Sequence, residues 1–158
     1  MQLTLKKFMA GLALLMCAGC VSDNYQPTKT SMELQSFQKQ DFETSKKVAF
    51  ASVLSVFQDM GYILGNAEFE TGLITAKSPT HEDMGFRWNT MTDTKATAFV
   101  EELKPGIATV RLNFVTTIEK SGGYGMKAET EKPIEDPSIY ANAFAKIKEA
   151  IFIRKAMQ

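Results

Sequence analysis

The chain has 158 residues, enough for one domain, and its 18 basic side chains balance its 18 acidic ones. This balance excludes the strongly basic surface on which nucleic-acid binding depends. The only cysteines are Cys17 and Cys20. If the chain is cleaved before Cys20, only one cysteine remains, which excludes a disulfide framework, and a packed core must then supply the stability.

The first nineteen residues have the pattern of a secretory signal peptide. The positive pair Lys6-Lys7 precedes about ten apolar residues, which are too few to cross a bilayer core of about 30 Å as a helix. The small residues Ala18 and Gly19 then lead to Cys20. The alternatives are an apolar helix that belongs to the fold and an uncleaved anchor.

The residues before Cys20 resemble the lipobox of bacterial lipoproteins, although Cys17 stands where leucine is usual. The resemblance implies cleavage before Cys20, acylation of that residue and permanent anchoring in a membrane. In enteric bacteria an aspartate directly after the cysteine is a retention signal for the inner membrane, and Val21 stands there instead. The resemblance therefore implies a protein held in the outer membrane that faces the periplasm.

A polar stretch separates this signal from the folded part of the chain. Residues 21–32 contain a proline and show no apolar period, which predicts a flexible tether of at most about 40 Å. We expect the lipidated N-terminus and tether to cover residues 20–32 and a single domain to cover residues 33–158.

The first elements of that domain are short. Residues 33–42 carry scattered apolar side chains and suggest an edge strand. A helix is predicted from Lys46, capped by Thr44-Ser45, and Gly61 supplies its stop. Two short strands joined by a turn then fit residues 62–77.

A hairpin is the clearest local pattern of the sequence. Apolar and polar residues alternate from Ile107 to Ile118, and Lys104-Pro105-Gly106 provides turn chemistry after the apolar run 96–103. A second helix follows Asp136-Pro137. The sequence thus predicts an α+β fold, an antiparallel sheet of about four strands with two helices packed on one face.

The phrases Phe57-Gln58-Asp59-Met60-Gly61-Tyr62 and Glu70-Thr71-Gly72-Leu73-Ile74-Thr75-Ala76, with the closing helix after Asp136, resemble a group of small Gram-negative outer-membrane lipoproteins. They are also similar to the small α/β domains of outer-membrane assembly lipoproteins such as BamC. The resemblance covers most of residues 33–155. It implies fold and location, and it carries no catalytic residue.

Residues able to carry chemistry are few. His81 precedes Glu82 and Asp83, but three successive side chains point in different directions and rarely close on one metal ion. The glycine-rich segment 121–125 lacks the ending of a phosphate-binding loop. The carboxylate pairs at 68/70 and 101/102 are expected to be solvated charge. We expect no enzyme, no catalytic residue, no metal and no cofactor.

The loop predicted at residues 78–95 is the strongest candidate for binding. It carries Phe86, Arg87, Trp88 and Met91, of types that are enriched in interface cores. The alternative is that Phe86 and Trp88 fold back to cover a sheet edge or plug the core.

The sequence favours a non-enzymatic envelope subunit, lipid-anchored through Cys20, that docks on another envelope protein. The alternative is a periplasmic module that binds a small ligand or a glycan on the open sheet face or in a groove between helix and sheet.

Overall fold

The computed structural model describes residues 28–86 and 88–157. The predicted signal peptide, Cys20 and Arg87 lie outside these ranges. In chain order the described elements are α1 (Ser31–Gln38), β1 (Lys39–Phe42), α2 (Lys46–Asp59), β2 (Ile63–Glu68), β3 (Leu73–Lys77), β4 (His81–Met84), β5 (Trp88–Lys104), β6 (Ile107–Gly122), a 3₁₀ turn (Gly123–Gly125), β7 (Lys127–Pro133) and α3 (Pro137–Ala156).

The long hairpin of β5 and β6 forms the centre of one antiparallel sheet. Near the hairpin turn, β1 pairs with β6 while β3 and then β2 extend the β5 side. At the opposite end, β4 pairs with β5 and β7 pairs with β6. We call this second end the arm; it comprises β4, β7 and the parts of β5 and β6 that pair with them.

The predicted sheet of about four strands with two helices is wrong, because the described fold has seven strands and three helices. The helices at 46–59 and 137–156 and the hairpin turn lie where they were predicted. The hairpin strands are longer than predicted, because β5 begins at Trp88, inside the predicted loop 78–95, and β6 continues to Gly122. The missed strands β4 and β7 are exposed along their whole length. A strand with no buried face need not alternate apolar with polar residues, so hydrophobic periodicity does not reveal it.

The segment predicted as an edge strand begins instead as helix α1. Thr30 and Glu33 form a capping box, in which the Thr30 side chain accepts from the Glu33 N–H and the Glu33 carboxylate accepts from the Thr30 N–H. Thr28 also donates to the Glu135 carboxylate, with its N–H at 3.2 Å. The described contacts therefore begin ahead of residue 33, within the stretch predicted as tether.

Helices α2 and α3 cover one face of the sheet near the hairpin turn. Ser45 caps α2 by accepting from Val48 N–H, and Gly61, at φ 82°, follows its end in the left-handed conformation that glycine tolerates best. On the face that the helices cover, β5 presents the small buried side chains of Ala96 and Ala98. The core residues with no exposed surface include Ala49, Val53, Phe57, Ile74, Ala98, Val100, Val110, Leu112, Phe114, Tyr140, Ala143 and Ile147.

The arm extends past this helix layer. Along β6 the alternating side chains of Val110, Leu112 and Phe114 are buried, whereas Thr116 and Ile118, further along the same face, are only half-buried. The helices thus cover the sheet near the hairpin turn and leave the arm largely uncovered. No described helix has the length and apolar character needed to cross a bilayer.

Candidate functional site

Phe86 and Trp88 lie at the free end of the arm. Phe86 occupies the turn between β4 and β5 and is fully exposed, and Trp88 begins β5 with 42% of its surface exposed. Neither side chain belongs to the buried core, so the alternative that they plug the core is wrong. Both remain available for contact with another surface.

The Trp88 ring lies over Gly122, its partner on β6. A Cβ atom at position 122 would lie 2.5 Å from the ring atom Cζ3, closer than packed carbon atoms approach. The glycine-rich segment therefore makes room for the indole, a role that the sequence reading missed. A tryptophan and a glycine at equal distances along the chain from the predicted hairpin turn were the available signal.

A second turn lies beside the first at this end. The Gly122 N–H donates to the Met126 carbonyl at 2.9 Å, which closes the connection to β7, and Met126 is 55% exposed. Met84, at the end of β4, is 79% exposed, and its pairing with Asn89 puts its side chain on the face of the arm opposite Trp88. We call Met84, Phe86, Trp88 and Met126 the apolar tip.

Met91 belongs to a different surface. Pairing of β5 with β6 runs without a shift from Trp88 to Glu102, so side chains alternate strictly and Met91 faces away from Trp88. Its face carries a cavity of about 400 Å³, here called the arm cavity, lined by Met91, Glu119, Lys120, Ser121, Lys127, Ala128 and Glu129. The structure thus places Phe86 and Trp88 on one surface and Met91 on another.

A buried polar pair lies next to this cavity. Asp93 and Thr117 face each other across β5 and β6, and they are only 5% and 2% exposed. Lys77 Nζ lies 3.2 Å from Asp93 Oδ1. Asp93 Oδ2 and Thr117 Oγ1 have no hydrogen-bond partner within the described ranges. This arrangement was not predicted, because Asp93 reads in sequence as an ordinary polar residue of a loop.

A second ion pair on the same face is solvent-exposed. Lys95 bonds to the Glu131 carboxylate, and this hydrogen bond raises the pKa of Lys95. Both members are about half exposed, so solvent screens the attraction and the pair adds little stability.

The other residues considered above as metal ligands or as paired carboxylates lie along strands. His81, Glu82 and Asp83 lie along β4, where successive side chains alternate between faces. Across the described ranges, no three His, Cys, Asp or Glu side chains converge as metal ligands would. Glu101 and Glu102 also point to opposite faces of β5.

Glu102 joins two elements near the hairpin turn. Its carboxylate accepts from the Lys46 N–H at 2.7 Å and from the Gly106 N–H at 2.8 Å. These two bonds lower the pKa of Glu102, because both donors stabilise the charged form. The residue therefore fixes the start of α2 to the hairpin turn.

Comparisons with known proteins leave the family open. No family model and no curated protein matches the chain. A DUF4468 family protein from Bacteroides ovatus is 11% identical with a TM-score of 0.39, over 72% of this chain and 84% of that one. A TBP-like protein from Parabacteroides distasonis is 16% identical with a TM-score of 0.36, over 72% and 90%. Neither likeness bears on function, and the resemblance to outer-membrane lipoproteins stays a prediction.

Proposed function

We propose that this chain is a lipid-anchored envelope protein, a non-enzymatic accessory subunit that docks on another envelope protein through its arm. The observation that carries the proposal is that the arm presents, on the face turned away from the helices, the exposed Met91 and a cavity of about 400 Å³. A four-stranded surface without helix cover is suited to contact with a partner, since an open sheet face gains stability when it is covered.

The face with the arm cavity is the surface proposed for docking. Met91 supplies an apolar centre with 36% of its surface exposed, and carboxylates and lysines surround it. Protein interfaces commonly combine an apolar centre, often methionine, with a polar rim. The mixture of Glu119, Glu129 and Lys127 suits a partner that presents charges of both signs.

The anchor belongs to the same proposal. Cys20 is the lipidated residue, and the seven residues 21–27 separate it from Thr28, where the described contacts begin. A chain of this length reaches at most about 28 Å, which holds the arm close to the membrane. Docking then occurs among proteins already at that surface.

The test is crosslinking in intact cells with a photoreactive amino acid at position 91 of the full chain. We expect one dominant protein adduct. The same amino acid at Lys148, exposed on α3, is the matched control and should not give that adduct. Cys20→Ser, combined with the label at position 91, should lose the adduct because the domain is released from the membrane. Absence of any adduct from position 91, or equal adducts from both positions, would contradict the proposal.

The arm cavity also supports a second candidate, a module that binds a small ligand or a glycan. Its volume of about 400 Å³ falls in the range of roughly 300–1,000 Å³ that is typical of small-molecule sites. A ligand that binds the folded state raises the melting temperature by mass action. This candidate is rejected if peptidoglycan fragments and sugars at millimolar concentration leave the melting temperature unchanged.

A further inference from the structure

The apolar tip differs in composition from the strands that lead to it. Its two turns, residues 84–88 and 122–126, contain one charged residue, Arg87, in a chain that is 23% charged. The flanking strands β4 and β7, by contrast, carry charged side chains at six of their eleven positions and are exposed throughout. The arm is therefore polar along its length and apolar at its end.

The exposure of these side chains is high. Phe86 is fully exposed, and Met84 and Met126 are 79% and 55% exposed. Leaving such groups in water forgoes the stabilisation that burial of apolar surface supplies. Phenylalanine, methionine and tryptophan are side chains that bury readily at the boundary between lipid headgroups and acyl chains.

The tip is also small. Four strands about 4.8 Å apart span roughly 15 Å, so the end of the arm offers far less than the roughly 800 Å² that each partner contributes to a typical protein interface. A narrow apolar end on charged strands instead suits contact with a lipid surface. There a few inserted side chains suffice, and the charged residues of the strands stay in water.

The root of the arm lies close to the start of the described chain. Thr28 bonds to Glu135, and the nearby Ile134 N–H donates to the Phe114 carbonyl on β6. From Phe114 to Gly122 the strand advances about 27 Å, nearly the same length as the chain between Cys20 and Thr28. An anchor at Cys20 therefore lets the tip reach the membrane that holds it.

We infer that the apolar tip inserts into the interface of a lipid bilayer, as a second membrane contact beside the acylated cysteine. Met84, Phe86, Trp88 and Met126 enter the boundary of headgroups and acyl chains, while the charged strands β4 and β7 remain outside. That the tip reaches the membrane rests on the Cys20 anchor of the proposed function. Insertion into a bilayer requires only the apolar tip.

Trp88 is the only tryptophan of the chain, so its fluorescence reports on the tip directly. The chain from residue 20 with Cys20→Ser carries no acyl group and isolates the contribution of the tip. With vesicles of phosphatidylethanolamine and phosphatidylglycerol we expect a blue shift of the Trp88 emission. Acyl chains brominated near the headgroup should quench that emission more strongly than chains brominated near the bilayer centre.

Phe86→Ser should weaken partitioning into vesicles about tenfold, because the lost burial of one aromatic ring corresponds to roughly that factor. Phe152→Ser is the matched control, since Phe152 is 73% exposed on α3, outside the arm, and the change should leave partitioning as it is. The inference is overturned if vesicles leave Trp88 emission unchanged, or if both variants partition equally. These outcomes do not depend on crosslinking at position 91, so failure here and failure of the proposed function are distinguishable.

Discussion

The hydroxyl group of Tyr140 fills a break along one edge of β6. Strand β1 pairs as far as Arg111 and β7 pairs from Val115, and the Phe114 N–H between them donates to Tyr140 Oη at 3.4 Å. The same oxygen donates to the Ile134 carbonyl at 2.8 Å and accepts from Gln38 Nε2 at 3.3 Å. One buried side chain thus connects helix α1, strand β6 and the start of helix α3.

Replacing that hydroxyl should cost stability. We expect Tyr140→Phe to lower the free energy of unfolding by about 1–3 kcal/mol, because it leaves the buried Phe114 N–H and the Ile134 carbonyl without this partner. Urea unfolding measures the loss. Tyr62→Phe makes the same chemical change at a tyrosine whose ring contacts Phe57 and Phe114, and its loss should be smaller. Equal losses would show that the hydroxyl of Tyr140 has no special role.

Two ion pairs on the face with the arm cavity, Lys77–Asp93 and Lys95–Glu131, give a second comparison between single residues. Lys77→Met removes the partner of the buried Asp93 carboxylate, and we expect a loss of about 1–3 kcal/mol in the free energy of unfolding. Lys95→Met removes the partner of the exposed Glu131 and should cost at most about 0.5 kcal/mol. Chemical denaturation of both variants checks the difference, and the argument fails if Lys95→Met is the more damaging change.

Between elements, Glu102 links the start of α2 to the hairpin turn and makes this link dependent on pH. Its folded-state pKa lies below the ordinary value near 4.5. The stability that it contributes is therefore fully present above about pH 5 and is lost as the pH falls through the lower, folded-state value.

Glu102→Gln should lower the urea midpoint at pH 7, and the gap to the unchanged protein should narrow as the pH falls below about 4.5. Urea titrations at several pH values between 7 and 3 measure this gap. Glu101→Gln alters the neighbouring side chain on the opposite face of β5 and should leave the midpoint at pH 7 nearly unchanged. A gap for Glu102→Gln that stays constant down to pH 3 would contradict the assignment.

The elements predicted with the clearest period are those with one buried face. Helix α2, helix α3 and the hairpin repeat their apolar residues at the period of their own backbone, because one side of each packs in the core. Strands β4 and β7 pack no such side. Helix α1 has no buried residue either, and its capping box at Thr30 and Glu33 was the signal that could have shown it.

For the molecule as a whole, the sequence could indicate the residue types of the candidate site but not their arrangement. Phe86, Trp88 and Met91 were singled out for their chemistry. Their division between the apolar tip and the arm cavity depends on strand register, which long-range pairing sets. Asp93 was missed because its burial arises from neighbours that the folded sheet brings together. The lipidation of Cys20 stays a prediction.

The unbroken pairing of β5 with β6 also bears on how related chains can diverge in length. Side chains alternate between the two faces with a period of two, so adding or removing two residues in both strands of the arm keeps every remaining side chain on its own face. Each such step changes the reach of the arm by about 7 Å. Adding a single residue would instead turn polar side chains such as Asp93 to the other face. The distance between the helix-covered core and the tip is therefore adjustable in fixed increments, with the core left as it is.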